Sequence, residues 1–81
     1  MPISCQLHDY IEIACLYGYS ISLTLKQGQN IEGKALTTET SADRQELLVI
    51  QSDIIQRKIN LTEIKSMRAL TQNPNFTEIH F

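Results

Sequence analysis

No stretch of this 81-residue sequence approaches the roughly 20 consecutive apolar residues that a membrane-spanning helix needs, and its N-terminus lacks a basic segment followed by an apolar one. The expectation is a chain neither inserted in a membrane nor exported, and therefore cytoplasmic. Cysteine is scarce: Cys5 and Cys15 are too few for a disulfide framework and point to free thiols. Low-complexity runs are missing, and 42% hydrophobic with 20% charged residues describes an ordinary globular protein rather than a disordered tail. The length leaves no room for a second domain. It predicts one domain over 1–81, near the lower limit for independent folding, burying about 60% of its unfolded surface. The most informative absence is local. Residues 1–25 contain no Lys or Arg but carry Asp9 and Glu12, so the net charge of −2 resides in the N-terminal quarter. A protein that grips phosphate backbones would carry a basic stripe instead.

What is present is a clear β pattern. Ile21, Leu23 and Leu25 alternate with Ser20, Ser22 and Thr24, the period of a half-buried strand. The polar run from Lys26 to Asn30 contains Gly28, suited to a turn, and Ile31, Gly33 and Ala35 alternate again, so the two form a hairpin. Gly33 inside a strand pattern marks a bend or bulge that lets a small sheet curl. Residues 37–45 are polar and unpatterned, a surface loop. Glu46 to Gln51 and Ile54 to Leu61 make a second hairpin, Thr62 to Ile64 a turn, and Lys65 to Leu70 a last strand. Ahead of all these, Leu7, Ile11, Ala14 and Cys15 share one face of a helix over about 4–17, ending at Gly18. Asp9 and Glu12 project together from another face. The tail, 71–81, offers only Phe76, Ile79 and Phe81 as anchors, which leaves its order open. The fold class is mainly β with one N-terminal helix: a small, bent antiparallel sheet or partly open barrel of about five strands over 19–70.

The strings Ile3-Ser4-Cys5, Asp9-Tyr10-Ile11-Glu12-Ile13-Ala14-Cys15, Leu23-Thr24-Leu25-Lys26-Gln27-Gly28 and Arg57-Lys58-Ile59-Asn60-Leu61 with Ile64 resemble the Rho-binding antiterminator family, the Rof (YaeO) proteins. The resemblance spans about Ile3 to Met67; its cysteine and Glu-x-Ala-Cys spacing is specific, its Leu-Lys-x-Gly turn generic. It implies an Sm-like barrel with an N-terminal helix that binds the hexameric transcription termination factor Rho at its primary RNA-binding sites, blocking RNA loading and preventing termination. On that reading Asp9 and Glu12 stand where RNA phosphates would sit, facing Lys and Arg of the partner. The family also uses polar and basic residues in a loop between the middle strands, which carries over to Ser41–Gln45 with Arg44 its sole basic group. Where relatives place a run of acids and an aromatic before the aspartate, this chain has Gln6-Leu7-His8. His8 then takes the aromatic's place, and Tyr10 adds stacking or hydrogen-bonding surface.

Other readings of the same residues compete. Asp9-x-x-Glu12 fits a capping box at a helix start. Cys5, His8 and Cys15 are potential zinc ligands, but the spacing is poor and a structural site wants four, so no metal or cofactor is expected. No orienting group or oxyanion element accompanies a cysteine nucleophile, so no enzymatic activity is expected. Tyr10, Tyr17 and Tyr19 could stack on bases, though tyrosines at a helix end more often bury their rings. Lys34, Arg57, Lys58 and Lys65 would support an Sm-like RNA-binding protein; acids at Glu32, Asp53 and Glu63 argue for a solvated surface. An adaptor for another protein is the remaining class.

Overall fold

In the computed structural model, which describes residues 5–81, the alternation at Ile21, Leu23 and Leu25 becomes strand β1, Ser20–Leu25. Its three apolar side chains are buried, while Ser22 and Thr24 face the opposite side of the sheet. Strand β2, Asn30–Thr40, returns antiparallel with Ile31 opposite Leu23. Gly28 in the connection adopts φ +100°, and its N–H donates to the Leu25 carbonyl at 2.8 Å.

Two expectations for β2 are corrected. The shift in register falls between Ala35 and Thr37, beyond Gly33. Gly33 instead permits close approach: a Cβ there would lie 2.8 Å from the Gln51 carbonyl oxygen on the next strand. The strand also runs through Thr40, so the loop expected over 37–45 shrinks to 41–45. Thr37, Thr38 and Thr40 are β-branched and pair with Val49, Leu48 and Glu46 of β3, Glu46–Ser52, which outweighs their polarity.

A tight turn with Asp53 at φ +55° leads from β3 into β4, Ile55–Asn60. Val49 lies on the outer face yet is buried; its ladder neighbours are Thr37 and Lys58, and the Lys58 ammonium reaches across to Glu39 at 2.9 Å. A single 3-10 turn, Leu61–Glu63, follows. Asn60 caps it, its Oδ1 accepting the Thr62 N–H at 3.0 Å and the Thr62 hydroxyl at 2.8 Å. Strand β5, Ile64–Ala69, then pairs with β1 on the side away from β2.

The tail does not fray. Asn73 Oδ1 accepts the N–H groups of Asn75 and Phe76, which turns the chain so that Phe76 is buried and β6, Glu78–His80, joins the edge of β5. The sheet therefore has six strands rather than about five, in the order β4-β3-β2-β1-β5-β6. Since the outermost strands do not pair, it is open.

Helix α1, Cys5–Tyr17, packs on β2. Ser4, its expected first residue, lies outside the described residues. Ile11 and Ala14 are fully buried, with Leu7 and Cys15 half-buried beside them, as the 3.6-residue spacing requires. At the exit Gly18 takes φ +63°; its N–H donates to Cys15 at 3.2 Å, and the Tyr19 N–H to Ala14 at 2.9 Å. This paired arrangement satisfies carbonyls that a helix end otherwise leaves open.

Candidate functional site

Because α1 starts at Cys5, Asp9 and Glu12 are its fifth and eighth residues and its first turn contains no acid. Neither is a helix cap. Both side chains are exposed, and Asp9 makes no ion pair or hydrogen bond among the described residues. The two carboxylates thus face outward from the element that lies furthest from the chain's cations in sequence.

His8 occupies the step between this face and the sheet. Its Nδ1 lies 3.1 Å from Glu12 Oε1, one helical turn on, and its Nε2 lies 2.7 Å from Glu46 Oε2 at the head of β3. Only the imidazolium offers an N–H on both nitrogens, so both contacts hold together only when His8 is charged. Glu46 is the residue that sequence reasoning missed. The i, i+4 relation of His8 to Glu12 is legible in the string, but Glu46 is 38 positions from His8 and reads there only as the first residue of an apolar run.

The turn that delivers Glu46 is built from its own polar side chains. Ser41 bonds Asp43 through its hydroxyl and accepts the Gln45 N–H at 3.0 Å, while the Arg44 N–H donates to the Ser41 carbonyl at 2.9 Å. Arg44 takes φ +65° there, with its exposed guanidinium unpaired among the described residues. It stands two residues before Glu46. The structure therefore brings Asp9, His8 and Glu12 together on α1, adds Glu46, and puts Arg44 at the adjoining turn.

Tyr10 points the other way: half-buried, its ring meets Phe76 edge-on at 5.6 Å. Tyr19 is buried, its hydroxyl accepting from Asn75 Nδ2 at 2.8 Å, and Tyr17 stacks on it at 5.7 Å from outside. The three tyrosines thus brace α1 against the tail, and among them only Tyr17 is largely open. Cys15 is half-buried; loss of hydration, and secondarily the nearby Glu12 carboxylate, pushes its thiol up to about 11. That is the reverse of an activated nucleophile.

On the outer face of the sheet, Ser22, Thr24, Asn30, Glu32, Ser66, Arg68 and Glu78 line a shallow cleft of about 320 Å³. Two acids, Glu32 and Glu78, stand in it against one cation, Arg68, whose Nε lies 3.8 Å from Glu78, a poor seat for a phosphate chain. Among the described residues no group of three or more His, Cys, Asp or Glu is placed to hold a metal ion, and His80 pairs with Glu78 at 3.0 Å.

Residues 2–81 match the family described as "Modulator of Rho-dependent transcription termination (ROF)". The sequence is 32% identical over 65 residues to Protein rof of Escherichia coli (strain K12), covering 80% of this chain and 76% of that protein, and equally so to Protein rof of Shigella flexneri. Among solved structures, "YaeO bound to Magnesium from Vibrio cholerae O395" superposes with a TM-score of 0.85 at 34% identity, over 90% of this chain and 95% of the other.

Proposed function

This chain belongs to the ROF family, the modulators of Rho-dependent transcription termination, and we propose that it acts as a non-enzymatic inhibitor that occupies the RNA-loading surface of Rho. The observation that carries this reading is the outward exposure of Asp9 and Glu12 on a helix free of Lys and Arg. A surface evolved to hold RNA phosphates presents Lys and Arg; a rigid pair of carboxylates offers those cations charge-assisted hydrogen bonds in the phosphates' place. His8 beside Glu12 and Arg44 at the adjoining turn complete the partner-facing set, while Tyr10, turned toward Phe76, supports the helix from behind. Such a protein works in the cytoplasm, where Rho meets nascent RNA, and needs no cofactor.

The contrary reading, a sheet that binds RNA directly, has little to stand on. Lys58 is spent on Glu39, and the polar cleft is lined by two acids against one Arg. Titrating the purified protein into Rho with labelled RNA present should displace the RNA, with complex formation weakening as salt rises and no retention of RNA by the protein alone. Charge reversal sharpens the test. The double variant Asp9→Lys, Glu12→Lys should lose Rho binding while circular dichroism reports an intact fold. Normal displacement by the folded variant would sink the assigned role.

A further inference from the structure

We propose that His8 is a positioning residue whose charge sets the strength of the acidic face: charged, it ties Glu12 to Glu46 and weakens the face; neutral, it releases a carboxylate and strengthens it. The inference rests on the acidic-face reading above and goes beyond it, since it makes the interaction depend on pH through one side chain.

The geometry is specific. His8 faces Glu12 on its own helix at 3.1 Å and Glu46 on β3 at 2.7 Å, and the other charged groups of this neighbourhood are Asp9 on α1 and Asp43 and Arg44 in the turn before β3. The imidazolium donates to both glutamates and joins the helix to the sheet. A neutral imidazole has one N–H and can donate to only one of them. The other carboxylate then turns to solvent, and one positive charge leaves a face whose acids are Asp9, Glu12 and Glu46. Imidazole is the side chain for which both charge states are accessible near neutral pH. Two opposite trends result: the helix-to-sheet tie is strongest in mild acid, while attraction for a cationic partner is strongest in mild base.

The test compares wild type, His8→Gln, which stays neutral, and His8→Arg, which stays charged, for binding to Rho at pH 6 and pH 8. Changes in Rho itself are common to all three. Relative to the two variants, wild type should move from the His8→Arg side toward the His8→Gln side between pH 6 and pH 8, with the two variants differing by up to about fivefold, the scale of one exposed charge contact. Parallel pH profiles for the three proteins would overturn the proposal. Thermal melting without Rho gives a second reading: the stability advantage of wild type over His8→Gln should shrink from pH 6 to pH 8 and should be smaller in a Glu46→Gln background, where only the Glu12 contact remains. If wild type binds Rho at no pH, the acidic-face reading fails and takes the binding effect with it. The melting comparison still decides whether the tie exists, and an advantage independent of both pH and Glu46 would refute it.

Discussion

Phe76→Ala tests whether the C-terminal tail is part of the folded unit. Phe76 is 8% exposed, and its ring meets two others, Tyr10 of α1 at 5.6 Å and Tyr19 ahead of β1 at 6.0 Å between ring centres. Truncating a buried phenylalanine costs about 3–5 kcal/mol, with the low end expected where surroundings can collapse into the gap. Phe76 lies in the irregular segment just before the three-residue β6, so about 3 kcal/mol is the appropriate figure. At roughly 0.05–0.15 kcal/mol per residue, an 81-residue domain has about 4–12 kcal/mol in total. The variant should therefore lose a quarter or more of its stability, lowering its melting temperature by about 12–24 °C. Urea unfolding followed by circular dichroism measures this directly, and a lower midpoint with an unchanged slope would place the loss in the native state. A change under 1 kcal/mol would refute the reasoning and mean that residues 71–81 lie on the sheet without supporting it.

Three further outcomes follow from the same coordinates. Leu23→Ala removes a fully buried side chain from the centre of β1 and should cost about 2–5 kcal/mol in urea unfolding, enough to leave the domain marginal. Gly33→Ala forces a methyl against the Gln51 carbonyl oxygen, backbone that cannot yield as a side chain would, and should destabilise by about 1–3 kcal/mol despite better strand propensity. Cys15, with its thiol raised from 9.0 to about 11, should react with a disulfide reagent at pH 8 far more slowly in the folded protein than after denaturation, measured in a Cys5→Ser background. Because the folded chain keeps this proton longer than the unfolded chain, its contribution to stability is complete below pH 9 and is lost as pH climbs from about 9 to 11; stability rising over that interval would contradict the assignment.

The parts of the fold that were legible in the string are those specified by local pattern. The alternation through β1, the buried run Leu48-Val49-Ile50 in β3 and the helical spacing of Leu7, Ile11 and Ala14 each placed their element, and Gly18 ended the helix where a left-handed residue was needed. What the string concealed was specified by partners. The threonines of β2 read as loop because their polarity is local information, while their pairing with β3 is not. Phe76 and Ile79 looked too sparse to anchor a tail because Tyr10, Tyr19 and Met67, the residues they pack on or pair with, come from other elements. Asp9 and Glu12 stood out in the charge map and took a partner-facing role from the family resemblance, whereas Glu46 enters the neighbourhood only through His8.

The way α1 is held also explains why its carboxylates are available for a partner. The helix has no acid in its first turn and no base in its last, so its dipole receives no help from side-chain charge, and thirteen residues is marginal for a helix in isolation. Its stability must come from elsewhere: Ile11 and Ala14 against the sheet, Tyr10 against Phe76, and the two bonds closing the chain at Gly18. None of these involves Asp9, and Glu12 contributes a single exposed ion pair with His8, worth at most about 1 kcal/mol. Charge at Asp9 is thus uncoupled from folding, and charge at Glu12 is coupled to it only weakly. A protein that loses function when they are reversed, while keeping its helix, has lost an interaction with something outside itself.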